Sequence, residues 1–244
     1  MRDLLSEKKV RRAAGCFVVE GGVLIRAAVD AGLTIVEEFV LDGESPVSSA
    51  PAHFIDRSTL ERVASTVTPQ PHLAVVETPR PVDPSALGAG WVLVADRVQD
   101  PGNLGTMIRS AAAAGACALL VTPGTVDVFS PKVVRAAAGA LFVLPCGEVA
   151  SLAELTKSDL SVVGTSSHEQ PGAVAYDEFD FTGHIALVMG NEAVGMDVTA
   201  PIDAWVMIPH VGPVESLNVA MAATLLSFEI ARQRKHRSPA GSGH

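Results

Sequence analysis

The chemistry-bearing residues of this chain gather in three polar, glycine-rich stretches. The first runs Asp96-Arg-Val-Gln-Asp-Pro-Gly-Asn-Leu-Gly-Thr-Met-Ile-Arg109, the second Gly190-Asn-Glu-Ala-Val-Gly195, and the third Pro209-His-Val-Gly-Pro-Val-Glu-Ser-Leu-Asn218. Their glycines let a ligand approach the backbone closely, and their side chains supply amide, hydroxyl, carboxylate and guanidinium groups. They do not supply a nucleophile beside a base. There is no GxSxG elbow, no GxxxxGK[ST] phosphate loop and no GxGxxG, since Gly102 and Gly105 are three apart. His168 and His210 lie near such stretches but have no Cys or Ser at a recognisable spacing, and read as ordinary loop histidines. Cys16, Cys117 and Cys146 are too scattered for a disulfide framework or a zinc cluster, and no metal is called for. The chemistry on offer is positioning: groups that orient and polarise a substrate without bonding to it.

Each stretch follows a short apolar run. WVLVA (91–95), ALLV (118–121), SVVG (161–164), IALVM (185–189) and WVMI (205–208) suit strands buried on both faces of a parallel sheet. Helical patterns lie between them at Leu104–Ala114, Pro131–Ala138 and Leu152–Thr156, and a last helix is expected over Asn218–Arg234. In such a sheet ligands bind beyond the carboxyl ends of the strands, where the three stretches fall. The core of the last helix, VAMAATLLSFEIA, is apolar nearly all round, so one sheet cannot cover it and a second partner is expected.

Ahead of this lies a smaller α/β pattern. Strands are expected at Cys16–Glu20, Ile35–Leu41 and Leu73–Glu77, a helix at Gly22–Ala31 and a Gly/Ser/Pro loop over 43–52. TPRPVDPSALGAG (78–90) has linker chemistry. The expected division is a small domain at 1–80, a linker at 81–90, a larger domain at 91–235 and a flexible tail at 236–244. A fragment starting near Ser85 is expected to fold alone. No apolar run approaches membrane-spanning length and no signal-like core follows the charged N-terminus, so a cytoplasmic protein is expected.

The net charge of −9 argues against non-specific coating of nucleic acid, and 5% aromatic residues are too few for a base-stacking platform. Both ends are basic, however. Arg2, Lys8, Lys9, Arg11 and Arg12 open the chain, and Arg232, Arg234, Lys235 and Arg237 close it. Either group alone reads as a solvated helix end; together they leave phosphate contact open.

Taken in order, NLGTMIR (103–109), LVMGNEAVG (187–195) and IPHVGPVESLNVAMA (208–222) resemble the three successive motifs of the SpoU (TrmH-like) family of RNA 2′-O-ribose methyltransferases. Residues 4–77 also resemble the small ribosomal-protein-like substrate-binding domain that often precedes the catalytic domain. The resemblance implies a C-terminal α/β trefoil-knot domain with a parallel sheet, S-adenosyl-L-methionine as cofactor, RNA as substrate and a homodimer packed through the knot. It implies Asn103, Arg109, Glu192, Ser216 and Asn218 as catalytic residues, and Thr165, Gly190, Asn191, Ile208 and Leu217 around the cofactor. Lys8, Lys9, Arg11, Arg12 and Arg135 are the implied RNA contacts. The segment VVRAAAGALFVLP departs from the family pattern, which often has serine where Ala137 stands.

Each residue also has a plain reading. Asn103 could simply cap the helix at Leu104, Ser216 or Asn218 could cap the last helix, and Glu192 could be a surface acid. Within the motifs, Glu192 orients Arg109 or the loop backbone. An arginine stays protonated, so Arg109 is expected to grip a phosphate and stabilise the developing alkoxide, with the proton going to that phosphate or to water. Ribosomal RNA is the expected substrate. The alternatives are a transfer-RNA 2′-O-methyltransferase, a catalytically silent RNA-binding relative, and a nucleotide-dependent oxidoreductase, against which the missing GxGxxG speaks.

Overall fold

The computed structural model describes residues 1–64, 68–166, 171–190, 201–213 and 216–237. The chain divides into two units, residues 1–80 with 126–143, and residues 81–125 with 144–244.

The first unit opens with two short helices, α1 (Arg2–Ser6) and α2 (Lys8–Ala14). Gly15 ends α2 in the left-handed region at φ 62°, its N–H donating to the Arg11 carbonyl; a side chain there would be strained. β1 (Cys16–Glu20), α3 (Gly22–Asp30), β2 (Ile35–Leu41), β3 (Ala52–Ile55), α4 (Arg57–Val63) and β4 (His72–Glu77) follow. The sheet order is β1-β4-β2-β3, with β4 antiparallel to β1 and β2, and β3 parallel to β2. The three expected strands and the helix from Gly22 are present. The expected loop at 43–52 runs directly into β3, and α4 lies where no helix was expected. Its signal was Asp56, whose carboxylate accepts the Thr59 N–H at 3.0 Å as a helix cap. The loop is pinned from within: the buried Glu38 carboxylate accepts the N–H groups of Val47 and Ser48 and the Ser48 hydroxyl.

The second unit contains β5 (Trp91–Ala95), α5 (Pro101–Ala113) and β6 (Ala118–Val121). Next along the chain comes α6 (Pro131–Ala137), which packs with the first unit. The second unit resumes with β7 (Cys146–Glu148), α7 (Leu152–Leu155), β8 (Ser161–Ser166), β9 (Val174–Ala175), β10 (Ile185–Met189), β11 (Ala204–Met207) and α8 (Val219–Arg237). Its seven strands are ordered β7-β6-β5-β10-β8-β11-β9, and every pair is parallel. Every residue of β5, β6 and β10 is buried, as continuous apolar runs require. WVMI departs from that expectation: in β11 only Val206 is buried, because just the two-residue β9 lies outside it. β7 and β9 went unforeseen, being three and two residues long.

Two boundaries differ from the expected division. Residues 81–90 are not a free linker, since Val82 donates its N–H to the Cys146 carbonyl at 2.9 Å, and Val82 and Leu87 pack on the second unit's core. Residues 126–143, expected in the larger domain, pack instead with the first unit. Phe17 of β1 meets Phe129 at 5.0 Å and Phe142 at 6.3 Å between ring centroids. Arg11 donates from Nε to Asp127 Oδ2 at 2.7 Å and reaches the same oxygen through Nη2 at 2.6 Å, while Arg135 lies 3.5 Å from the buried Glu20. A fragment starting near Ser85 would therefore leave Phe129, Phe142 and Asp127 without these partners. Among the described residues no helix is long and apolar enough to cross a membrane.

Candidate active site

β5, β10, β8 and β11 lie side by side and parallel, so their carboxyl ends share one edge of the sheet. The Asp96 N–H donates to the Met189 carbonyl at 2.9 Å, joining the exit of β5 to Gly190, the residue after β10. The Thr165 hydroxyl near the end of β8 donates to the Val188 carbonyl of β10 at 3.1 Å. Val206 and Met207 pair in register with Thr165 and Ser166, which brings the half-buried Ile208 to the same edge. Thr165, near the end of β8, and Gly190 and Ile208, just after β10 and β11, thus lie at the carboxyl ends of three adjacent strands, where an open parallel sheet offers a ligand crevice.

The loop from β5 leads into α5, which starts three residues earlier than expected. Asp100 caps it, accepting the Asn103 N–H on Oδ1 at 2.7 Å. Asn103 is therefore not the helix cap, and its side chain is used elsewhere: its Oδ1 accepts from Asn218 Nδ2 at 3.0 Å, across 115 residues of chain. Asn218 is the cap of α8, taking the N–H groups of Ala220 and Met221 on its Oδ1 at 2.9 and 3.3 Å. Those two bonds turn its Nδ2 towards Asn103. The first turns of α5 and α8 meet at this amide pair, so the positive ends of two helix dipoles face one place, a setting that favours developing negative charge. Packing keeps the helices together below it, where the Ser110 and Thr224 hydroxyls lie 2.6 Å apart.

The other expected site residues are placed less closely. Arg109 is exposed on α5, with no hydrogen bond or ion pair among the described residues. Six residues of helix put it about 9 Å further along the axis than Asn103, and the fold does not join it to the amide pair. Ser216 and Leu217 are exposed just before the Asn218 cap. Asn191, Glu192 and His168 lie outside the described residues. The His210 Nε2 is shielded from solvent and has no hydrogen-bond partner among the described residues.

A second cluster at this edge was inside the first motif stretch but was given no role by sequence. Asp96 is 6% exposed, and its Oδ1 accepts the Thr122 hydroxyl at 2.7 Å. Its Oδ2 accepts Arg97 Nε and Nη2 at 3.1 and 3.0 Å. Arg97 sits in the left-handed region at φ 56°, and its N–H donates to the Thr122 hydroxyl at 3.1 Å. The only sequence sign was an acid and a base directly after a strand, which is too common to single out.

Of the expected RNA contacts, Lys8, Lys9 and Arg12 are exposed on α2. Arg11 departs from the expectation. Its side chain is 7% exposed, it also donates from Nη1 to the Leu4 carbonyl at 2.6 Å, and it holds the first unit together. Arg135 is one-third exposed beside Glu20. At the other end of the chain Arg232 pairs with Glu229 at 2.6 Å, and Arg234 donates to the Gly90 and Gly183 carbonyls.

Comparison with known proteins agrees with this geometry. The profile of the SpoU rRNA Methylase family matches residues 90–228, and that of the MRM3-like substrate binding domain matches residues 2–74. The chain is 35% identical over 236 residues to the 23S rRNA (guanosine(2553)-2′-O)-methyltransferase RlmP of Bacillus subtilis, covering 93% of this chain and 92% of the relative. It is 34% identical to the 23S rRNA (uridine(2479)-2′-O)-methyltransferase of Streptomyces viridochromogenes, over 95% and 88% of the two chains. The crystal structure of the SpoU methyltransferase AviRb from Streptomyces viridochromogenes in complex with AdoMet superposes with a TM-score of 0.86 at 31% identity, covering 96% of each chain. With the fold, the converging strand ends and the order of the motifs in agreement, the chain belongs to the SpoU rRNA methylase family.

Proposed function

We propose that this chain methylates a ribose 2′-hydroxyl of ribosomal RNA, using S-adenosyl-L-methionine. The observation that carries the reading is the Asn103–Asn218 pair at the meeting of two helix N-termini. It offers oriented amides and helix dipoles where a hydroxyl must become an alkoxide, and asks for no nucleophile. Ribosomal RNA is favoured over transfer RNA because two relatives matched along most of their length, at 35% and 34% identity, are 23S rRNA enzymes.

The strand ends fit the cofactor. Thr165, Gly190 and Ile208 bring mostly backbone and one half-buried apolar side chain together, which suits a ligand with a flat base, a ribose and a short amino-acid arm. These three, with Asn191 and Leu217, would hold it. When bound, it supplies an activated methyl group on a sulfonium. The chain's part is to orient the ribose through Asn103 and Asn218, to bring Arg109 against the phosphate beside it, and to exclude water, with Glu192 and Ser216 supporting that arrangement. The proton leaves to the phosphate or to water.

In this reading the protein is a cytoplasmic homodimer whose second unit closes a trefoil knot. Support for the dimer comes from α8, where Met221, Leu225 and Phe228 are 61%, 38% and 51% exposed, four and three residues apart on one face. Lys8, Lys9 and Arg12, with Arg135 of the same unit, serve the RNA. Tritium transfer from labelled S-adenosyl-L-methionine into 23S rRNA, with transfer RNA as a parallel substrate, tests the proposal. Transfer to neither RNA by the folded protein overturns it.

A further inference from the structure

The second unit is strongly acidic. It carries 7 Lys and Arg against 15 Asp and Glu, out of 18 and 27 in the whole chain. Four of those bases, Arg232, Arg234, Lys235 and Arg237, lie in the C-terminal turns of α8. That end is held to Gly90 and Gly183, which precede β5 and β10, so it lies at the sheet's amino edge. Lys157 follows α7 and precedes β8, also on the amino side. Arg109 is two turns down α5. Arg97 is therefore the cation set directly at the carboxyl ends of the strands, one residue beyond Asp96, whose N–H is bonded to the end of β10.

Its construction is costly for a surface arginine. A non-glycine residue at φ 56° is strained, and a buried carboxylate has been taken out of water to hold it. The Asp96 grip on Nε and Nη2 holds the guanidinium, the Thr122 hydroxyl holds the backbone N–H behind it, and a Cβ at Gly124 would meet its Cγ at 3.3 Å, so glycine there leaves room for the side chain. It still keeps 38% of its surface in contact with solvent. A guanidinium locked in one direction, partly open and next to the reaction edge of an acidic body, is suited to one oxyanion. We infer that Arg97 is a substrate-gripping residue that binds a backbone phosphate of the RNA strand flanking the target ribose. This rests on the methyltransferase reading and adds a phosphate subsite on the β6 side of Asn103.

Arg97→Gly removes the cation and suits the positive φ, and Arg97→Gly combined with Asp96→Asn also removes the buried charge left behind. Lys157→Ala is the control for loss of a cation from the other edge. With an in vitro transcript of 23S rRNA, both Arg97 variants should raise KM roughly tenfold at low salt while kcat and cofactor affinity hold, and the slope of log affinity against log salt should fall by about 1. Lys157→Ala should leave all four unchanged. A lowered melting temperature with unmoved KM and salt slope would overturn the inference and make the pair purely structural. Loss of cofactor affinity in step with KM would overturn it too, by assigning the oxyanion to the cofactor's carboxylate. The salt slope needs no turnover: a wild type that binds the transcript without methylating it refutes the enzyme reading, whereas an unchanged slope in an active enzyme refutes only the phosphate subsite.

Discussion

Removing Arg11 should damage stability and leave RNA binding alone, the reverse of what its place in a basic N-terminus suggests. Arg11 and Asp127 are 7% and 14% exposed and share two close contacts, and Arg11 also satisfies the Leu4 carbonyl. Arg11→Met leaves a carboxylate in a mostly closed site with one described bond, from the Phe129 N–H at 3.2 Å. Breaking a buried pair from one side costs about 3–5 kcal/mol, and the partial exposure of Asp127 places this case near the lower figure. For a chain of this size 3 kcal/mol lowers the melting temperature by about 6–12 °C. Asp127→Leu alone should cost about as much, because it strands a buried guanidinium. The double variant Arg11→Met/Asp127→Leu should recover most of the loss, ending within about 1 kcal/mol of wild type, which makes the coupling in the double-mutant cycle about 5 kcal/mol, since an apolar pair needs no compensating charge. Thermal or urea unfolding followed by circular dichroism measures all four proteins. The salt slope for 23S rRNA should match wild type in the double variant, whereas Lys8→Glu and Arg12→Glu should reduce it. A shift under about 2 °C for Arg11→Met, together with a reduced salt slope, would refute the reasoning and return Arg11 to the RNA surface.

Arg109→Ala should lower kcat by at least about a hundredfold with cofactor affinity nearly intact by calorimetry, and Arg109→Lys should also be poor because a point charge cannot reproduce a planar two-pronged grip; equal loss of rate and affinity would make Arg109 structural. Asn218→Asp keeps the acceptor that caps α8 but loses the donor to Asn103, so methylation should fall while the melting temperature holds. Asn218→Ala should in addition cost about 1 kcal/mol through the lost cap, and equal stability losses in the two variants would contradict this division. Gly147→Ala would set a Cβ 2.6 Å from the Val82 carbonyl oxygen; with backbone as the obstacle, unfolding should be easier by about 1–3 kcal/mol.

Most strands of the second unit were legible because a strand buried on both faces must be apolar at every position. WVLVA, ALLV and IALVM became β5, β6 and β10 at the expected residues. The segment after each strand was legible as a site for a similar reason, since backbone approach and polar positioning leave glycines, amides and an acid or base in local order. Start signals were read less well. Asn103 looked like the cap of α5, but Asp100, with Pro101 and Gly102 after it, caps the helix three residues earlier. That frees the Asn103 side chain for Asn218.

By itself the sequence determined the family, the strand runs and the identity of the groups at the reaction edge, because those are set by neighbours a few residues away. The tertiary structure alone decided what is done with each charge. Arg11 and Arg12 are adjacent in one basic run, yet one is buried against Asp127 and the other is exposed on α2. Residues 126–143 lie inside the family's catalytic stretch but pack with the first unit through Phe17, Arg11 and Glu20. Arg97 looked like any loop base until its φ and its grip by Asp96 and Thr122 were visible. Apart from Asp96, which is next to Arg97 in the chain, the deciding partner in each case lies 25 or more residues away or is a backbone angle. The cost of burying a charge is met by whatever the fold brings beside it, and local sequence does not carry that information.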